Sequence, residues 1–173
     1  MSYQIKVLLL SFCVGLIVSL IVIPILRKLK VGQIEREDGP QSHLKKQGTP
    51  TMGGLAIIVT IILMGVVSYI QYKAKEPTVV RNLIPLILVS VGFGLVGLVD
   101  DFKKLVLKNT EGLKPAYKML GLLIISVSFV IYLYKTIGTQ TLIPIIKTYV
   151  AMPVLLYVPF AIFVMLGTTN AVN

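Results

Sequence analysis

The chain has 173 residues, of which 55% are hydrophobic and only 14% are charged, with a formal net charge of +10. A soluble domain of this size would lack the polar surface to cover itself, so the composition excludes an ordinary water-soluble protein. The basic residues lie in short segments between apolar runs, which favours anionic lipid headgroups and phosphorylated substrates over nucleic acid as partners.

Five apolar segments reach or approach the roughly 20 residues that a helix needs to cross the hydrocarbon core of a bilayer. In chain order they are residues 5–26, 54–72, 83–99, 119–137 and 150–167. The fifth contains Pro153 and Pro159, which a membrane helix tolerates when neighbouring helices satisfy the freed carbonyls. The fold class predicted is therefore all-α, a polytopic transmembrane bundle of about five spans that forms a single domain over residues 1–173.

The loops after the first and third spans carry most of the 17 lysines and arginines. Because positively charged residues are retained on the cytoplasmic side, the N-terminus is predicted to lie outside. Both of these loops and the C-terminal residues are then cytoplasmic. All of the polar candidates described below fall on that one face.

The first candidate is the segment from Ser42 to Gly54, which leads into the second span. It places Lys45, Lys46 and the hydroxyl of Thr51 before a helix N-terminus, where exposed N–H groups and the helix dipole favour an anion such as phosphate. The alternative is an ordinary helix entry whose prolines and glycines form turns and whose lysines bind lipid headgroups. The residues alone favour this alternative.

The second candidate is the pair Asp100 and Asp101, at the end of the third span. Neighbouring helical residues point about 100° apart, which favours two different roles for the two carboxylates over symmetric chelation of one ion. A carboxylate at the membrane edge can accept a proton from a phosphate or hold Mg²⁺. The alternative is a set of local ion pairs, of Asp100 with Lys103 or Lys104 and of Asp101 with Lys104. Both interpretations remain open.

The third candidate is the pair Asn170 and Asn173, which follows the fifth span. Two asparagines three residues apart could share a helical face and recognise a base or a sugar through their amides, although taken alone the stretch is an ordinary helix exit. The glycines of the third span, Gly92, Gly94 and Gly97, are more simply explained by close helix packing than by ligand contact.

In this order, the three stretches resemble the MraY family, the phospho-N-acetylmuramoyl-pentapeptide transferases of glycosyltransferase family 4, over essentially the whole chain. The residues that carry the resemblance are Gly48-Thr49-Pro50-Thr51-Met52-Gly53-Gly54, Asp100-Asp101 and Asn170-Ala171-Val172-Asn173. The resemblance implies a Mg²⁺-dependent transfer of phospho-MurNAc-pentapeptide from its UDP carrier to undecaprenyl phosphate at the cytoplasmic face of the bacterial plasma membrane. The products would be UMP and lipid I, an intermediate of peptidoglycan synthesis.

The resemblance also implies roles for individual residues. Asp100 and Asp101 match the catalytic aspartate pair, close to Mg²⁺, and Lys104 matches a lysine that neutralises a phosphate. The substrate-binding positions implied for the nucleotide-sugar cleft are Lys46, Thr51, Asn170 and Asn173. Membrane lipids and a homodimer are expected partners, and nucleic acid is not.

The family continues well beyond the position of Asn173, through further aspartate motifs that include its main Mg²⁺ ligand. The chain is therefore expected to be an N-terminal half with an incomplete active site, and to be inactive alone. Leu122 is a further departure, because many relatives place glutamine there. Two alternatives stay open: transfer of N-acetylglucosamine 1-phosphate to a polyprenyl phosphate, and a non-enzymatic membrane subunit whose aspartates only pair with lysines.

Overall fold

A computed structural model of the protein describes residues 3–28, 52–107 and 112–171. These residues form five helices and one β-hairpin. The elements are α1 (Tyr3–Lys28), α2 (Gly54–Tyr72), α3 (Pro77–Leu107), α4 (Pro115–Thr136), β1 (Gln140–Ile143), β2 (Thr148–Ala151) and α5 (Val154–Ala171).

Each of the five helices is long and apolar enough to cross a membrane. At most 17% of any apolar window is buried inside the protein, so most of the apolar surface of these helices faces outward. Water does not support that much contiguous apolar surface, whereas lipid does. The chain is therefore a multi-pass membrane protein, and the predicted helical bundle of five spans is confirmed.

The bounds of α3 and α5 show the main differences from the spans expected from hydropathy. Helix α3 extends beyond residues 83–99 in both directions, because its polar end residues continue the helical hydrogen bonding past the apolar core. Helix α5 begins later than Val150, because Thr148–Ala151 pairs with β1. The carbonyl of Pro153 then accepts the first helical hydrogen bonds of α5, from the N–H groups of Leu156 and Tyr157, both at 2.9 Å.

The chain divides into two compact units, residues 1–114 and 115–173. In the first unit, α2 packs against both α1 and α3. A Cβ atom placed on Gly94 of α3 would overlap the end of the Ile58 side chain of α2, which confirms the packing role predicted for this glycine. Gly97 differs, because no neighbouring atom of the described residues comes within 4 Å of its Cβ position.

In the second unit, α4 packs against α5. Leu122, Ser126 and Val130 recur at four-residue spacing on one face of α4, and all three are buried. The hydroxyl of Ser126 donates a 2.8 Å hydrogen bond to the carbonyl of Leu122, so this buried polar group is satisfied within its own helix. Leu122 thus belongs to the apolar core of this unit.

Candidate functional site

Asp100 is buried near the C-terminal end of α3, with a side chain that is only 9% exposed. Both of its carboxylate oxygens have partners. Oδ2 accepts a 2.8 Å hydrogen bond from Nζ of Lys104, one helical turn later, and Oδ1 accepts a 2.8 Å hydrogen bond from the backbone N–H of Leu113. Asp100 therefore connects the end of α3 to the segment that leads into α4.

Gly112 makes this contact sterically feasible. Its φ angle is +60°, in the left-handed region that side chains other than glycine rarely adopt. A Cβ atom at this position would lie 2.5 Å from Oδ1 of Asp100 and 2.7 Å from Cε of Lys104. The sequence analysis missed Gly112, although a glycine three residues before the proline that opens a helix is a signal for a turn.

Asp101 has a different environment from that of its neighbour. Its side chain is 33% exposed, and its Oδ1 atom lies 3.7 Å from Nζ of Lys104. The ion pairs predicted between Lys104 and the two aspartates are thus present, with the shorter one to Asp100. The two carboxylates differ in exposure, as expected from the angle between successive helical residues.

The Lys104 side chain is 39% exposed, so its ammonium group bridges a buried carboxylate and the polar surface. A buried carboxylate is stable in the charged form only when it is paired and hydrogen-bonded, which gives Lys104 a structural role at Asp100. An exposed ion pair contributes little, so the longer contact with Asp101 can be exchanged for a ligand at small cost. The exposed side of this cluster can therefore present one cation and one carboxylate to a phosphorylated ligand.

The carboxylates of the cluster suit Mg²⁺ only in part. Within the described ranges, no group of three or more histidine, cysteine, aspartate or glutamate side chains could hold a metal ion. Both oxygens of Asp100 accept hydrogen bonds and its side chain is buried, so Asp101 is the carboxylate of the pair that is more accessible to a cation. Mg²⁺ is commonly bound by one or two carboxylates together with substrate phosphates, and Asp101 could supply such a ligand.

Asn170 belongs to the second unit, in the last turn of α5. Its Nδ2 atom donates a 2.8 Å hydrogen bond to the carbonyl of Leu166 and lies 4.0 Å from Sδ of Met119, at the start of α4. The residue is exposed. The structure thus groups Asp100, Asp101 and Lys104, and it describes Asn170 within the other unit. The remaining predicted positions, Lys46, Thr51 and Asn173, lie outside the described residues.

Two protein-family patterns match the chain. The model described as glycosyl transferase family 4 matches residues 83–173, which include most of α3 with the aspartate pair, α4, the hairpin and α5. The pattern described as phospho-N-acetylmuramoyl-pentapeptide-transferase signature 1 matches residues 46–58, the segment that leads into α2.

Curated relatives match almost the whole chain. A protein of Acetivibrio thermocellus is 40% identical over 173 residues, which cover 99% of this chain and 50% of the relative. A Clostridium perfringens protein is 46% identical over 95% of this chain and 48% of its own length. A Staphylococcus carnosus protein is 41% identical over 95% of this chain and 50% of its own length. All three are named phospho-N-acetylmuramoyl-pentapeptide-transferase, and the chain spans about half the length of the curated relatives it matches.

Proposed function

This chain belongs to glycosyl transferase family 4, and from that premise we propose that it forms part of a phospho-N-acetylmuramoyl-pentapeptide transferase. The reaction is transfer of phospho-MurNAc-pentapeptide from UDP-MurNAc-pentapeptide to undecaprenyl phosphate, which yields lipid I and UMP for peptidoglycan synthesis. The match to signature 1 and the names of the relatives support the transferred group, phospho-N-acetylmuramoyl-pentapeptide, and the family resemblance supplies the proposed carrier and acceptor. The proposed location is the bacterial plasma membrane, with the reaction at its cytoplasmic face.

The observation that carries the proposal is the cluster of Asp100, Asp101 and Lys104 at one end of a membrane-spanning helix. Such a position suits a reaction between the phosphate of a membrane lipid and a phosphate of a soluble nucleotide sugar. The two phosphates repel each other unless cationic groups lie between them. Lys104 supplies one such cation from this chain, and its partial exposure allows it to reach a ligand.

The proposed roles of the two aspartates follow from their environments. Asp101, the more exposed carboxylate, contacts the reacting groups, either by accepting a proton from the lipid phosphate or by holding Mg²⁺. Asp100 acts by positioning Lys104 and the segment at Leu113, since both of its oxygens are engaged there. Mg²⁺, when bound, would supply further positive charge beside the transferred phosphate.

The remaining residues are proposed to bind the nucleotide sugar. Lys46 and Thr51 supply an ammonium and a hydroxyl, and both belong to the sequence segment that matches signature 1. Asn170, in the last turn of α5, and Asn173, three residues later in the sequence, supply amide groups. A homodimer and membrane lipids complete the proposed partners.

The proposal is tested by lipid I synthesis in vesicles that contain undecaprenyl phosphate. This chain is assayed alone and together with the C-terminal half of the Acetivibrio thermocellus relative, with the relative's own N-terminal half as the positive control. We expect UMP release that requires UDP-MurNAc-pentapeptide and Mg²⁺ in the complemented sample. Activity with UDP-N-acetylglucosamine and none with UDP-MurNAc-pentapeptide would show that the alternative donor is the substrate. Activity that survives Asp101→Asn unchanged would contradict the proposed site.

A further inference from the structure

The hairpin between α4 and α5 exposes an unusual amount of apolar side chain. Every residue from 142 to 150 is exposed. We define the hairpin cluster as its six large apolar and aromatic members: Leu142, Ile143, Ile145, Ile146, Tyr149 and Val150. Ile145, in the turn, is 93% exposed, the highest value among the exposed large hydrophobic residues of the described chain.

The strand register distributes this cluster over both faces of the hairpin. Leu142 lies opposite Tyr149, and their side chains share one face. Ile143 and Val150 belong to the other face, because adjacent strand residues alternate between faces. A hairpin in water usually keeps one face polar. This one has apolar side chains on both faces and at the tip, so neither face is polar throughout.

The connection to the helices keeps the hairpin near the bilayer surface. Helix α4 ends at Thr136 and α5 begins at Val154, and both are candidate membrane spans. The base of the hairpin is closed by a 3.2 Å hydrogen bond from the N–H of Met152 to the carbonyl of Thr139. Four strand residues span only about 13 Å, and the headgroup region on each side of the bilayer core is about 5–8 Å deep.

The polar residues of the hairpin also fit a lipid surface. Lys147, in the turn, is the one charged residue between Ile137 and Pro153 in the sequence. A single lysine can place its ammonium among anionic headgroups while its stem lies along apolar groups. Tyr149 has the apolar ring and polar hydroxyl typical of residues at the membrane interface. The turn between α2 and α3 contrasts with this, because it carries Lys73, Lys75 and Glu76 within a short exposed stretch.

We propose that the hairpin lies against the bilayer and inserts its hairpin cluster into the lipid interface. A hairpin standing upright would hold Ile145 and Ile146 in water beyond the headgroups. A hairpin tilted onto the surface buries them at the boundary between headgroups and acyl chains. The partner of this surface is thus the lipid bilayer itself. The contact fixes the depth in the bilayer of the two helix ends that the hairpin joins, the C-terminal end of α4 and the N-terminal end of α5. This inference does not depend on the proposed transferase activity.

The absence of tryptophan from the sequence allows a direct test. Ile145→Trp and Lys75→Trp each create a single tryptophan in the 173-residue chain, the second one serving as the matched control in an exposed, charged turn. Each variant is reconstituted in vesicles of phosphatidylglycerol and phosphatidylcholine whose acyl chains carry bromine. We expect bromolipid quenching several-fold stronger at position 145 than at position 75. The emission at 145 should also be shifted to the blue and weakly quenched by aqueous iodide.

Two results would overturn the proposal. Equal bromolipid quenching at positions 145 and 75, with free access of iodide to both, would place the tip of the hairpin in water. Weak quenching of position 145 by both reagents would instead mean that protein covers the cluster, such as a second copy of the chain. If Ile145→Trp disturbs the fold and lowers the helical circular dichroism, the same quenching measurements are made on Tyr149→Trp, a conservative change within β2.

Discussion

The Oδ1 atom of Asp100 accepts a hydrogen bond from the backbone N–H of Leu113, a residue 13 positions later, across a donor–acceptor distance of 2.8 Å. The other carboxylate oxygen, Oδ2, accepts a hydrogen bond from Nζ of Lys104, so both oxygens of this buried side chain have partners in the same unit. Asp100 is thereby hydrogen-bonded to the backbone, whereas the side chain of Asp101 is partly exposed. The two residues should therefore respond differently to substitution.

Asp100→Ala is expected to lower the free energy of unfolding by about 1–3 kcal/mol, because it leaves the N–H of Leu113 without its acceptor. Asp101→Ala is the matched control and should have a much smaller effect, since its contact with Lys104 is longer and more exposed. Unfolding in mixed micelles of increasing denaturing-detergent fraction, followed by circular dichroism, measures both. Equal losses in the two variants would contradict the role assigned to Asp100.

Gly112→Ala should destabilise the chain by about 1–2 kcal/mol through the positive φ angle alone. Overlap of the new Cβ with the Asp100 carboxylate, at 2.5 Å, adds to this cost. Gly97→Ala is the control, because its Cβ meets open space in the described part of the chain and alanine favours helix. The same unfolding measurement applies, and a neutral Gly112→Ala variant would argue against this turn geometry.

Gly94→Ala is expected to cost about 1–3 kcal/mol by overpacking the contact between α2 and α3. The added methyl group would overlap the end of the Ile58 side chain, so Ile58→Ala should relieve the overlap. A double-mutant cycle of the two changes measures the coupling. Additive effects of the two substitutions would show that these residues do not pack against each other.

Asp101, on the exposed side of the cluster, should affect activity more than stability, whereas Lys104 also stabilises the buried carboxylate of Asp100. In the complemented assay, Asp101→Asn and Lys104→Gln are each expected to reduce lipid I formation by orders of magnitude, because each removes a charge proposed to contact a phosphate or Mg²⁺. Lys104→Arg keeps the positive charge and should retain more activity than Lys104→Gln. Helical circular dichroism of the Asp101→Asn variant should match that of the parent. Full activity of Asp101→Asn would remove this residue from the proposed site.

Hydropathy predicted the five spans well, since a stretch of apolar residues long enough to cross a bilayer is a strong local signal. The hairpin was not predicted, because hydropathy reports only that a segment is apolar. Thr148–Ala151 is apolar and adjoins the fifth span, so its composition does not distinguish a strand from the start of a helix. Only the pairing with Gln140–Ile143 and the helix start after Pro153 separate the two elements.

The aspartate pair shows a comparable limit. Helical spacing predicted the contacts of Lys104 with both carboxylates, and these are present. The same spacing could not indicate which aspartate is buried, because burial of Asp100 depends on Gly112 and Leu113, on the far side of a loop. Differences between neighbouring side chains that arise from distant residues are not encoded in a local pattern.

Gly65 of α2 faces Ile87 of α3, and Gly94 of α3 faces Ile58 of α2, so each helix receives an isoleucine from the other. Sliding of either helix along its axis would press both isoleucines against the residues that flank the two glycines. This reciprocal interlock makes the antiparallel pair resistant to axial shear. A ligand that pulls on the aspartate end of α3 would thus displace α2 with it.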